Sequence, residues 1–355
     1  MSNNSKNYQI SGIQQVGIGN TDAYATWHWY KKHLGMDLPI FDEAAEAALM
    51  LPYTAGKPRS RHAILALNHQ GGGGLEIWQY TSRVAQGATF DVRLGDLGIY
   101  ICKFKCIDAQ KSHMQMKSGG INVLSEVVIR QDGAKHFYAQ DLLGNVIEII
   151  ESNDWFRKGL HHAGGVAGVS IGVSNMNASI AFYKDVLHYD VAVVDINGRS
   201  DDIASLPGGS ESFRRVVLQH SNPRKGPFSP LLGSSEIELH QANEYHGKPI
   251  FRDRMWGDLG YIHLCFDIRD MDALREYCKS YGCSFTVDSG DFEMGESAGQ
   301  FAYIEDPDGT LIEFVETHKI PIVKKLNWFL NLHKRDPEKA LPGWMLWAMG
   351  LSRVK

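Results

Sequence analysis

The sequence predicts an α+β fold built from four βαβββ modules. Three observations predict it: ordered internal repeats, one amphipathic helix for every three strands, and short polar turns before the closing strands. Trp29-Tyr30-Lys31-Lys32-His33-Leu34 recurs as Phe182-Tyr183-Lys184-Asp185-Val186-Leu187, 153 residues on. Leu75-Glu76-Ile77-Trp78 matches Ile237-Glu238-Leu239-His240, and Gly95-Asp96-Leu97-Gly98 is repeated letter for letter at Gly257-Asp258-Leu259-Gly260, both after 162 residues. Asp141-Leu142-Leu143-Gly144-Asn145-Val146-Ile147-Glu148 answers to Asp306-Pro307-Asp308-Gly309-Thr310-Leu311-Ile312-Glu313, 165 on. Ordered matches with a slowly growing offset mark a tandem duplication.

Each half divides again. The first module opens on a β-type run at Gln15–Ile18 and continues into an amphipathic helix at Ala23–Leu34. Its counterpart in the second half is Val169–Val173 followed by Ala178–Leu187. Further strands end in the Glu76 and Glu238 runs. A second apolar strand, Ile99–Phe104 or Tyr261–Ile268, leads to a helix at Ala109–Ser118 or Met271–Tyr281, stopped by Gly119-Gly120 or Gly282. Turn residues then precede Val146–Ile150 and Leu311–Val315. Three strands per helix, joined by hairpin turns, favour curved antiparallel sheets over a doubly wound parallel one.

The expected organisation is a first half over residues 1–155, a second over 156–318, and a tail over 319–355 that packs back on the body. Asp154–Val166, with its glycines and His161-His162, reads as the linker. In the tail, Lys324–Leu332 reads as a helix and Leu341–Leu351 as an apolar stretch too short to span a bilayer.

With 43% hydrophobic and 22% charged residues, the 355-residue chain can bury two cores, which excludes general disorder. A net charge of −5 lacks the basic surplus of a nucleic-acid binder. Five cysteines do not make a disulfide framework, and Cys102 with Cys106 on one strand face reads as apolar packing. The start shows no basic, apolar leader pattern, so a cytoplasmic protein is expected. Gly71–Gly74 is not followed by the Lys-Ser/Thr and helix of a phosphate loop and reads as a hairpin turn.

The four modules, the Tyr-Lys motif after the first strand, and Asp-Pro-Asp-Gly-Thr-Leu-Ile-Glu at the end resemble the vicinal oxygen chelate superfamily over roughly residues 10–318. That superfamily includes glyoxalase I, methylmalonyl-CoA epimerase, extradiol ring-cleaving dioxygenases, and the bleomycin and fosfomycin resistance proteins. The resemblance implies that modules pair into two open curved-sheet barrels, each able to cup one divalent metal. It also implies two ligand positions per module, one in the first strand and one near the closing Glu. Carried over, the second half offers Gly168, Glu238, His263 and Glu313, and the first half Gln15, Glu76, Ile101 and Glu148.

An imidazole with two carboxylates suits one divalent transition ion of the Zn, Ni, Fe, Mn or Co class. The expected metal set is therefore Glu238, His263 and Glu313 in the second half, with the first half structural. The competing reading is a degenerate half whose carboxylates meet Arg or Tyr. His240, two residues from Glu238 on the same strand face, either replaces the ligand missing at Gly168, orients substrate, or sits at the rim. Tyr303 and Phe301 alternate with Glu305 and are candidates to line the cup. Arg252 and Arg254 are candidates to clamp a carboxylate or phosphate, with surface placement as the alternative.

The resemblance implies proton transfer of the glyoxalase or epimerase type on a small substrate chelated through neighbouring oxygens, with Glu313 or Glu238 as general base. Two alternatives stand: an Fe(II) extradiol dioxygenase, for which Gly168 sits where a His is needed, and a binding protein of the resistance type without turnover. The expected partner is a small-molecule substrate, with no nucleic acid or membrane, in a monomer or homodimer.

Overall fold

The computed structural model describes residues 8–159, 161–294, 297–323 and 328–354. The first module comprises β1 (Gln9–Asn20), α1 (Ala23–Leu34), β2 (Leu38–Glu46), β3 (Ser60–Leu67) and β4 (Gly74–Tyr80). The second comprises β5 (Gly98–Cys106), α2 (Ala109–Ser118), β6 (Val128–Ile129), β7 (Lys135–Gln140) and β8 (Val146–Glu151). The third comprises β9 (Ala163–Gly172), α3 (Met176–Asp185), β10 (Val191–Gly198), β11 (Phe213–Gln219), a short α4 (Ser229–Leu232) and β12 (Glu236–Ala242). The fourth comprises β13 (Gly260–Arg269), α5 (Met271–Tyr281), β14 (Val287–Asp288), β15 (Phe292–Met294), β16 (Ser297–Glu305) and β17 (Leu311–Val323). The α+β class and the repeated module are as the sequence predicts.

Each module helix starts where a short polar side chain can turn back on the backbone. Asp22, Asp108, Asn175 and Asp270 each accept from the backbone N–H three residues on, satisfying one orphan donor of the first turn. Gly35 and Gly282 end α1 and α5 in the left-handed conformation, at φ 61° and 94°.

Within a module the first strand lies parallel to the last; between modules the first strands meet antiparallel. Their partners come from opposite halves of the chain. β1 pairs with β13, and β5 with β9. One curved sheet therefore runs β14-β16-β17-β13-β1-β4-β3-β2 and the other β10-β11-β12-β9-β5-β8-β7-β6. Modules one and four make the first sheet, two and three the second. Neither half of the chain closes a sheet of its own.

The repeated motifs hold the modules of each half together instead. Tyr30 Oη donates to Asp141 Oδ2 at 2.8 Å, and Tyr183 Oη to Asp306 Oδ2 at 2.9 Å. Each Asp also accepts backbone N–H groups of its own turn, from Leu143 and Asn145 or from Asp308 and Thr310. The Tyr of the first repeat motif and the Asp of the last are thus one buried contact, which accounts for their joint recurrence. One continuous core includes Val16, Phe104, Val169 and Phe266 of the central strands with Tyr30, Met116, Tyr183 and Leu274 of four helices. Cys102 and Cys106 are free thiols within it.

The tail departs from expectation in one place. Of the stretch expected to be a helix, residues 324–327 lie outside the described residues, and Trp328–Asn331 forms a strand, β18, on the far end of β17. Free backbone groups on that long strand offer pairing that a lone helix cannot match. A short helix, α6 (Gly343–Met349), follows. Leu332, Leu341 and Leu346 are buried with Leu231, and Arg353 pairs with Asp37 at 2.5 Å. No helix among the described residues is long and apolar enough to cross a membrane.

Tyr183→Phe should leave the Asp306 carboxyl buried without its hydroxyl donor and lower stability by about 1–2 kcal/mol in urea unfolding. Leu346→Ala, at a fully buried tail position, should cost about 2–4 kcal/mol; a loss under about 0.5 kcal/mol would mean that the tail contributes nothing to the fold.

Candidate functional site

The strand register decides which chemical groups meet. On the first sheet, Gly17 of β1 stands opposite Glu76 of β4 on one side and His263 of β13 on the other. Glu313 of β17 lies beside Cys265, two residues from His263 and therefore on the same sheet face. Gln15 faces the same way, two residues from Gly17. Four polar side chains from the ends of modules one and four thus converge. His263 Nε2 is 3.0 Å from Glu313 Oε2 and 3.3 Å from Glu76 Oε2, and Gln15 Nε2 donates to Glu313 Oε2 at 3.3 Å. One donor atom each from Glu76, His263 and Glu313 lies within 4.8 Å of the others.

All four are buried. Yet neither nitrogen of His263 has hydrogen-bond geometry to any partner, and Gln15 Oε1 has none either. Burial alone would lower the His263 pKa, but Glu313 and Glu76 outweigh it and raise it to about 9. The two carboxylates thus favour a cation among them, a proton on His263 or, in its place, one divalent ion that would balance both.

The surroundings are apolar and tight. Trp256 stacks on His263 at 6.3 Å between ring centres, and Tyr303 meets the same ring edge-on at 5.6 Å. Burial foremost, with the Glu313 and Glu76 charges, holds the Tyr303 hydroxyl well above its ordinary pKa. Gly17 has no side chain because none would fit: a Cβ there would lie 2.3 Å from the His263 ring. The repeated Gly-Asp-Leu-Gly motif fixes the Trp256 loop. Asp258 accepts from Arg83, the Gln86 backbone and the Met255 backbone at 2.5–2.8 Å, tying the loop to module one. Next to Trp256 opens a cleft of about 440 Å³ lined by Tyr53, Phe251, Arg254 and Leu311 among others, within the size range of small-molecule sites.

Residues 159–314 match the family model described as the Glyoxalase/Bleomycin resistance protein/Dioxygenase superfamily. That match lies in the second half of the chain and agrees with the resemblance carried by its repeated motifs. Among solved structures it is similar to a putative dioxygenase from Bacillus subtilis, at 14% identity over 87% of this chain and 86% of that one, with a TM-score of 0.56. It is also similar to a point mutant of glyoxalase I from Zea mays, at 13% identity over 87% of this chain and 92% of that one, with a TM-score of 0.51. These likenesses show the fold. No curated protein matches the sequence.

The structure has two cups, and it divides the expected metal set between them. His263 and Glu313 meet as expected, but Glu238 does not join them. It lies on β12 in the other sheet, because that sheet is built from modules two and three. Glu76 and Gln15, assigned at first to a structural half, take its place. Tyr303 stands at the site; His240 does not, lying 3.3 Å from Glu238 in the second cup. Arg252 is exposed, and Arg254 donates to the backbone oxygens of Leu259 and Ile250, holding the loop rather than clamping an anion.

In the second cup, Gly168, Glu238, Ile101 and Glu148 occupy register positions equivalent to Gln15, Glu76, His263 and Glu313. A cation supplied by the chain fills it. Buried Lys103 pairs with Glu238, with Glu148 at 3.1 Å and with Glu236 at 2.7 Å. Arg215 pairs with Glu238 and with Asp202 at 2.6 Å, Arg130 with Glu236 at 2.5 Å, and His136 with Glu148 at 2.8 Å. Lys103, Arg130, Arg215 and protonated His136 answer Glu148, Asp202, Glu236 and Glu238, with Asp132 a further acid on Arg130 at 2.8 Å, so cations of the chain stand where a metal would. Lys103, which with Lys105 interrupts the apolar run Ile99–Cys106, was the available sequence signal.

This network makes stability depend on pH at both ends. Burial would raise the Glu236 pKa, but Lys103 and Arg130 overcome it and hold the pKa at about 2 against the ordinary 4.5. Its contribution is complete above pH 4.5 and should drain away as pH falls toward 2. His136, raised to about 9 by Glu148 and Asp202 against the effect of burial, contributes fully below pH 6.5 and loses that contribution as pH rises through 9. Urea midpoints across pH should therefore form a plateau with two falling limbs, and His136→Gln should flatten the alkaline one. An unchanged alkaline limb in that variant would refute the assignment.

Proposed function

We propose that the protein is a divalent-metal-dependent enzyme of the glyoxalase or epimerase type, acting by proton transfer on a small substrate held through neighbouring oxygens. The observation that supports this reading is the donor set itself: Gln15, Glu76, His263 and Glu313, buried and converging, with one imidazole among four ligands. A divalent ion held there would act as a Lewis acid toward the substrate's two oxygens.

The chain supplies the rest. Glu313 and Glu76 are the carboxylates placed to act as base toward a carbon beside the chelating oxygens, with Trp256, Trp78 and Tyr303 packed together nearby. The same aromatic groups exclude bulk water from the proton in transit. The cleft beside Trp256 would admit the substrate. The dioxygenase reading is weakened because the three-ligand set of that chemistry needs two imidazoles. His240, the residue considered as a substitute, is spent on Glu238 in the other cup.

Elemental analysis should show one transition-metal ion per chain that depends on this site: wild type should exceed Glu313→Ala and Glu76→Ala by one equivalent and equal Glu238→Gln. Exchange of a substrate α-proton with solvent deuterium should accompany turnover. Replacing the base by Gln should slow it about 10²–10⁴-fold, whereas the other carboxylate's variant should act mainly through metal affinity. Oxygen uptake with catechols would overturn this reading in favour of the dioxygenase, and stoichiometric metal with no exchange in favour of a binding protein.

A further inference from the structure

We propose that Asp291, His318 and His333 form a second metal site, structural in role, for a borderline divalent ion of the zinc class that fastens the tail to the first sheet. His318 lies on β17, His333 follows β18, and Asp291 precedes β15, so the group joins the body and the tail. One donor atom from each residue lies within 4.8 Å of the others. His318 Nδ1 is 3.4 Å from Asp291 Oδ1. Donors held at about 2.0–2.1 Å from a tetrahedral ion stand roughly 3.4 Å apart, so this pair already has ligand spacing.

The two imidazoles are 3.7 Å apart between ring centres, tilted at 47°. Rings this close bring two nitrogen pairs together, an arrangement that a shared cation stabilises and that mutual protonation would oppose. His318 is only 7% exposed, and its Nε2 has no hydrogen-bond partner among the described residues. That nitrogen faces Glu316 Oε2 at 3.9 Å, while Nδ1 turns to Asp291. A carboxylate behind a ligating imidazole is the usual outer support of such a site. Glu316 is itself fixed, accepting the backbone N–H of Met271 at 2.7 Å and of Asp270 at 3.2 Å.

The backbone around the group is equally constrained. Leu332 N–H donates to His318 O at 2.8 Å, and Arg269 donates to Leu332 O at 3.0 Å and to Thr317 O at 2.9 Å. The chain thus fixes the backbone at His318 and at Leu332, next to His333, before any ion arrives. Two nitrogens and one oxygen exclude calcium or magnesium as the preferred ion and leave a fourth position to water.

Calorimetric titration of the chelator-treated protein with Zn²⁺ tests this, alongside trypsin cleavage after Lys334 and Arg335. The wild type should take up two equivalents. His333→Ala and Asp291→Ala, both at exposed positions, should take up one, and Glu313→Ala should lose the other, so the two sites are read separately. Zinc should slow tail cleavage at least tenfold in the wild type and in Glu313→Ala, and have no effect in His333→Ala. Undiminished zinc uptake by His333→Ala and Asp291→Ala, or equal zinc protection of the tail with and without His333, overturns the proposal.

Discussion

The antiparallel register between β1 and β13 is the constraint on which the site depends. A shift of one residue would turn His263 to the other face of its strand and leave Glu76 and Glu313 facing each other without an imidazole. Gly17 allows the register by presenting no side chain where His263 must lie. The Asp258 carboxylate then pins the Trp256 loop over the group. Backbone pairing, a missing Cβ and one buried carboxylate together place four donors that are far apart in the sequence.

The same register repeated between β5 and β9 creates the same difficulty in the second sheet: carboxylates at the ends of parallel strands, turned into a dry concavity. Burying them without compensation is prohibitively unfavourable. The two cups meet that requirement differently. In one, the donors are arranged so that an exchangeable ion can balance them. In the other, Lys103, Arg130, Arg215 and His136 are covalently part of the chain and satisfy the acids permanently. Ile101 in place of an imidazole is consistent with that outcome, since a ligand is of no use where a lysine already fills the centre.

Much of this was legible in the sequence. The repeats marked the modules, and the motif alignment marked the eight positions that the strand register gathers into two cups. The grouping of those positions was not legible in chain order, because adjacent modules need not share a sheet and hydrogen bonding between β1 and β13 leaves no periodic trace. A subtler signal was present. Modules one and four each keep both ligand residues, Gln15 with Glu76 and His263 with Glu313. Modules two and three each lack one, at Ile101 and Gly168. Grouping intact with intact would have assembled the site. The tail was less readable, since Trp328–Asn331 becomes a strand only because β17 runs on past its module to offer an edge.

The interlocked topology also bears on why a duplicated chain keeps a cup that its own cations fill. Each half is bound internally by the Tyr30–Asp141 or Tyr183–Asp306 contact, while each sheet is bound across the halves. Loss of the second sheet would therefore remove the frame that positions β1 against β13. A salt-bridged second cup preserves that frame whether or not any ion is available. Its charges are worth retaining for geometry rather than for chemistry, and this explains why the carboxylates Glu148 and Glu238 persist at ligand positions where they hold lysine and arginine instead of a metal.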